Sequence, residues 1–276
     1  MFLYPAAFYI YSMLLQAPTP LPDFPKSIVS LVPSITDLLY ALGLESRISG
    51  ITKFCVHPGH LRQQKQIIGG TKNINTSAIK ACRPDLIIAS REENTKEQVE
   101  ALARDYPVWL TDVVDFETAI DMINDIGALT HSSARAGTII QKIQQAFAQL
   151  QPIAAIVNTC YLIWRKPYMT VGGDTFIHAM LQQCGLQNIF ADRHRYPAID
   201  LQQLKENNCQ LLLLSSEPYP FTQIHLEALK RLLPGITILL VDGEMFSWYG
   251  SKMMEAPVYF NQLIATIQKL TGRNFI

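Results

Sequence analysis

An α/β fold of two lobes with mainly parallel sheets, joined by one long backbone helix, is what this sequence predicts, and three observations predict it. The first is the stretch 132–151, where Ala136, Ile140, Ile143, Phe147 and Leu150 recur at spacings of three and four. Gln141, Lys142, Gln145 and Gln149 fall on the other side, so one stripe is apolar and the opposite face is wet, as in an amphipathic helix. At 1.5 Å per residue that helix spans ~30 Å, the width of a small domain. The second observation is that the chain on either side of it follows one plan: apolar strand, polar turn, helix, strand. That order reads as βαβ units and parallel sheets. The third is size and composition, since 276 residues with 49% hydrophobic and 17% charged leave room for two cores.

Taken in order, residues 1–16 are apolar and aromatic with no Lys or Arg before Lys26. A secretory signal needs a basic start and a cleavage site free of proline, whereas here Ala17-Pro18 would fall at the cut. An N-terminal strand or extended start is expected, with an export signal as the alternative. Pro18, Pro20, Pro22 and Pro25 make a stiff lead-in. Strand 28–32 then passes through Ser34-Ile35-Thr36-Asp37, in the form of a capping box, into helix 38–42 and Gly43-Leu44. Its expected partner is strand 168–171, followed by Gly172-Gly173-Asp174-Thr175, helix 176–184 and Gly185-Leu186. Strand 85–89, with Ser90-Arg91-Glu92, a helix to Arg104 and strand 108–111, is matched by 210–214, with Ser215-Ser216-Glu217, a helix to Leu233 and 236–241. The lobes are expected at 1–115 and 152–276, with a helical connector over 116–151.

Lys+Arg and Asp+Glu both number 23, which argues against nucleic acid or an anionic membrane surface as the main partner. Cysteines at 55, 82, 160, 184 and 209 form no CxxC pair and imply no disulfide framework. No GxSxG elbow, Walker loop, HExxH or GxGxxG appears. His178 sits in an apolar helix as a satisfied histidine, and Asp242 with Glu244 is a carboxylate pair lacking a matched nucleophile. The expectation is a protein that is not an enzyme, with no cofactor and no metal site of its own.

Three groups of residues point to binding. Phe54 and Cys55 lie in a turn with His57 and His60, a spacing that fits no closed zinc pattern, so the turn reads as a rim in which Phe54 or Cys55 touches a ligand. Rings gather at strand ends and turns: Trp164 with Arg165 and Tyr168, Tyr219 with Phe221, and Phe246 with Trp248 and Tyr249. A large, flat, partly apolar ligand needs such rings, with Arg165 for a carboxylate or phosphate. Glu92 or Glu93 and Glu217 follow apolar strands at corresponding points of the repeat, as ordinary solvated charges or as acidic knobs for arginine pockets of a symmetric partner.

Ser30-Leu31-Val32-Pro33-Ser34, Gly69-Gly70-Thr71, Arg83-Pro84-Asp85-Leu86-Ile87, Gly172-Gly173-Asp174-Thr175, Asn188-Ile189-Phe190 and Ser216-Glu217-Pro218-Tyr219-Pro220-Phe221 together resemble the helical-backbone substrate-binding proteins of ABC importers. The likeness runs over residues 26–263. It implies two Rossmann-like lobes, a monomer in the periplasm, and a metal chelate (cobalamin, ferric siderophore or haem) captured between lobes and delivered to a membrane permease. Docking would then fall to Glu92 or Glu93 and to Glu217, with Glu97 and Glu227 near enough to compete. Two departures stand out: Ser90 occupies the place of a tryptophan in the cobalamin receptors, and no clear signal peptide precedes the lobes. The alternative is therefore a cytoplasmic enzyme or sensor on the same scaffold, acting on a corrinoid or nucleotide-like compound.

Overall fold

The computed structural model describes Leu14–Leu15 and residues 24–271; the rest of the apolar start and Pro18, Pro20 and Pro22 lie outside the described residues. The chain divides into two units. One gathers the residues up to Val113 with Glu117–Lys142 and Tyr249–Ser251, the other Val114–Phe116, Ile143–Trp248 and the residues from Lys252 onward. The division expected at 115 and 151 thus falls inside the connecting helix, and three residues late in the chain return to the first unit.

The first unit is built on β1 (Leu14–Leu15), β2 (Ile28–Ser30), β3 (Ile48–Ile51), β4 (Gln66–Ile67), β5 (Leu86–Ser90) and β6 (Val108–Thr111). They form one parallel sheet in the order β1-β6-β5-β2-β3-β4. All five residues of β5 are buried, as parallel strands covered on both faces require. Val29, Leu31, Ile87 and Ala89 pack with Ile79, Val99 and Leu102 from the helices. The capping box expected at Ser34 and Asp37 is not formed. Helix Pro33–Ala41 starts two residues earlier than a cap at Ser34 would place it, with Val32 as its N-cap and Pro33 in the first turn, where a fixed φ and a missing N–H cost nothing. Asp37 instead accepts a hydrogen bond from the Ser251 hydroxyl.

The second unit holds β7 (Val157–Leu162), β8 (Tyr168–Met169), β9 (Leu186–Asn188), β10 (Ala198–Ile199), β11 (Leu211–Ser215) and β12 (Thr237–Val241). Four of them make a parallel sheet in the order β12-β11-β7-β9, and β8 pairs with β10 in a separate antiparallel ladder. The repeat is real at β5/β11 and β6/β12 but differs from the expected one at its first strand. Strand β7, beside β11 as β2 is beside β5, is the counterpart of β2, and residues 168–171 begin with the small ladder.

Two helices, Phe116–Leu129 and Ser133–Phe147, connect the sheets. The second ends four residues before the expected 151. Beyond it, the Asn261 side chain accepts from the Gln151 N–H at 2.9 Å and donates to the Gln149 carbonyl at 3.2 Å, replacing the backbone bonds that a longer helix would make. Among the described residues no helix is long and apolar enough to cross a membrane.

Candidate ligand-binding site

In the second unit the site residues stand at the carboxyl ends of β7 and β11. Trp164 bridges Met169, folding the segment after β7 back on itself, and the Tyr219 N–H donates to the Ile163 carbonyl at 3.2 Å, laying the loop after β11 beside it. Trp164, 40% exposed, meets the Tyr219 ring edge-on with centroids 5.7 Å apart, and Tyr219 meets Phe221 at 4.8 Å. The neighbouring phenols, Tyr219 and then Tyr168, hold the pKa of the Arg165 guanidinium above its ordinary value. His225 anchors Tyr219 from below. Its Nδ1 accepts from the Thr222 N–H at 3.0 Å, which places the proton of the neutral ring on Nε2, and Nε2 lies 3.0 Å from the Tyr219 hydroxyl. His225 was not among the expected residues; the spacing Thr222-x-x-His225, a capping box with an imidazole at its third position, was the signal.

The other expected rings are placed differently. Phe246 is fully buried, packed on Phe260 at 4.8 Å and Tyr161 at 5.1 Å, so it is a core residue and not a ligand contact. Trp248, also buried, points its indole N–H at Glu217 Oε1 (3.0 Å), which accepts a second bond from the Ser247 hydroxyl at 2.6 Å. That carboxylate is held within its own unit rather than projecting as a knob.

In the first unit Phe54 is half exposed, with the Lys53 ammonium 5.1 Å from its ring centroid. Cys55 turns inward to Thr36 at 3.2 Å and Thr52 at 3.4 Å, and burial pushes its thiol pKa up, so it is neither reactive nor a ligand contact. His60 is bonded to Glu45 at 2.7 Å. Ser90 ends β5 by accepting from the N–H groups of Glu92 and Glu93 at 3.2 and 3.4 Å; Ser215 ends β11 by accepting from Glu217 N–H at 3.3 Å. The matching serines make Glu92, not Glu93, the counterpart of Glu217. Tyr249 is buried in this unit, and burial, then the neighbouring Glu93, raises its pKa against the hydroxyls of Ser90 and Thr111.

These sheets, and the strand-end loops they carry, are those of a known family: the profile described as periplasmic binding protein matches residues 28–231. The chain belongs to the periplasmic binding protein family. The vitamin B12-binding protein of Pectobacterium carotovorum is 22% identical over 239 residues, covering 84% of this chain and 86% of that protein. Among solved structures, the periplasmic vitamin B12 binding protein of Vibrio cholerae superposes with a TM-score of 0.69 at 19% identity, over 89% of this chain and 98% of that one. A periplasmic heme binding protein from Pseudomonas aeruginosa gives 0.70 at 18%, over 87% and 93%. Members of this periplasmic binding protein family bind rather than transform their ligands, which turns the reading away from an enzyme or sensor.

Proposed function

We propose that this periplasmic binding protein captures a metal chelate, of the class to which the vitamin B12 and haem of its relatives belong, and hands it to the permease of an ABC importer outside the cytoplasmic membrane. The observation that carries the reading is the exposed Trp164 ring set edge-on against the half-buried Tyr219, with Arg165 next to it in the same loop. Rings at a site entrance stack on a flat macrocycle, and a guanidinium beside them meets a carboxylate or phosphate with charge-assisted hydrogen bonds. The metal arrives with the cargo, so no cofactor of the protein's own is required. Phe54 offers a further exposed ring in the first unit, and the protein acts as a monomer. For delivery, Glu97 and Glu227 are exposed on the helices that follow β5 and β11; they take the docking role ahead of Glu217, with Glu92 and Glu93 half-buried between.

Titration of the purified protein with haemin, cyanocobalamin and a ferric siderophore, followed by tryptophan quenching, tests this reading. Saturable binding of one of them, weakened about tenfold by Trp164→Ala, is expected for loss of a stacked ring. Failure of all three to bind would sink it.

A further inference from the structure

Beyond Arg165, the carboxyl-end rim of the second unit carries a second cationic point. The loop after β9 runs Asp192-Arg193-His194-Arg195-Tyr196, and it is built to hold its shape. The N–H groups of Gly172 and Gly173 donate to the carbonyls of Arg195 (2.7 Å) and Arg193 (2.9 Å), continuing the β8/β10 ladder. A Cβ on Gly172 would collide with the Arg193 carbonyl, and one on Gly173 with the Ala191 carbonyl, so only glycine allows the loop to lie so close. Asp174 then clamps its centre: Oδ1 accepts from the Arg195 N–H at 2.6 Å, and Oδ2 lies 3.6 Å from Arg195 Nε and 3.5 Å from His194 Nδ1. Burial works against that carboxylate, yet the Arg195 N–H and the flanking guanidinium keep its pKa below the ordinary range. Arg195 Nη1 is shut away from solvent with no hydrogen-bond partner among the described residues, a costly state for a guanidinium unless an acceptor completes it.

The charges do not balance. Arg165, Lys166, Arg193 and Arg195 stand in the two loops against Asp174 and Asp192, and Asp174 is already spent on Arg195. His194, 87% exposed at its side chain, adds a cation whenever it is protonated. A rim with an excess of cations favours an anion and disfavours a neutral ligand of the same shape. Resting on the chelate reading above, we propose that the pinned loop Arg193–Arg195 is the specificity determinant that makes the cargo an anionic chelate, one with free carboxylates, rather than a neutral one.

The test sets ferric citrate and haemin, which carry free carboxylates, against cyanocobalamin and ferrichrome, which do not, using the full chain and tryptophan quenching. Wild type is expected to bind an anionic probe at least tenfold more tightly than either neutral one, with affinity falling as salt rises from about 0.05 to 0.5 M. Arg193→Gln should weaken the anionic probe about tenfold or more while leaving the melting temperature and any neutral-probe affinity unchanged, the scale of one charge-assisted hydrogen bond. Gly173→Ala, which displaces the loop without removing charge, should weaken the same probe. Equal or tighter binding of a neutral chelate, or an Arg193→Gln variant with wild-type affinity for the anion, overturns the charge inference and leaves the chelate reading standing. Binding of none of the four overturns both.

Discussion

Glu93 shows how a single side chain in the first unit trades stability against charge. Burial raises its pKa, and the pull of Lys72 only partly opposes this. A carboxyl whose folded pKa lies above its unfolded value, ordinarily about 4.3, favours the native state only while protonated. Below the unfolded pKa both states carry the proton and nothing is lost. As pH rises through that value the unfolded chain ionises first, and stability falls until the folded group has ionised too. Glu93→Gln removes the titration while keeping the shape, so it is expected to melt above wild type at pH 7, with the gap closing below about pH 4. A wild type that melts higher than the variant at pH 7 would mean that the carboxylate finds better support than burial implies. Glu217 contrasts with it: two donors hold its carboxylate, and this is why an acidic residue at the expected docking position serves its own unit.

At the scale of elements, the end of the connecting helix depends on a side chain more than a hundred positions away in sequence. Asn261→Ala removes an acceptor from Gln151 and a donor from Gln149, and about 1 kcal/mol of stability is expected to go with them, read as a shift of the urea midpoint at constant slope. Asn261→Asp, which still accepts but cannot donate, should fall between. Contacts of this kind set the limit of what the sequence discloses. Strands β5 and β11 are legible because burial on both faces demands unbroken apolar runs. Strand β7 was passed over because Asn158, Thr159 and Cys160 interrupt its run, although Thr159 and Cys160 are fully buried and the Thr159 hydroxyl is satisfied by the Val157 carbonyl. The helix start at Pro33 was misplaced because Ser-x-x-Asp imitates a cap while proline does the same work one position earlier. Of the rings, local sequence gave the loops and not the direction of each side chain. Trp164 looks outward and Tyr219 is half-buried beneath it, while Phe246 fills a core whose other walls, Tyr161 and Phe260, come from distant segments.

For the whole molecule the decisive fact is that the first unit is not one continuous stretch of chain. It is completed by Tyr249–Ser251, with Tyr249 only 4% exposed and the Ser251 hydroxyl bonded to Asp37 of helix Pro33–Ala41. A buried ring of that size contributes on the order of 3 kcal/mol, a large share of the margin by which a domain is stable. A fragment ending at Lys142 therefore lacks part of its own core despite holding every strand of the first sheet. It is expected to unfold without a sharp transition, or at a much lower denaturant midpoint than the full chain. Tyr249→Ala in the full chain should reproduce most of that loss, and Tyr249→Phe, which keeps the ring, should retain most of the stability. The comparison is made by urea unfolding monitored by circular dichroism together with amide exchange on β5. A fragment that unfolds as cooperatively as the full chain, with equal protection of β5, would show that the first unit is self-sufficient and the return of Tyr249–Ser251 dispensable.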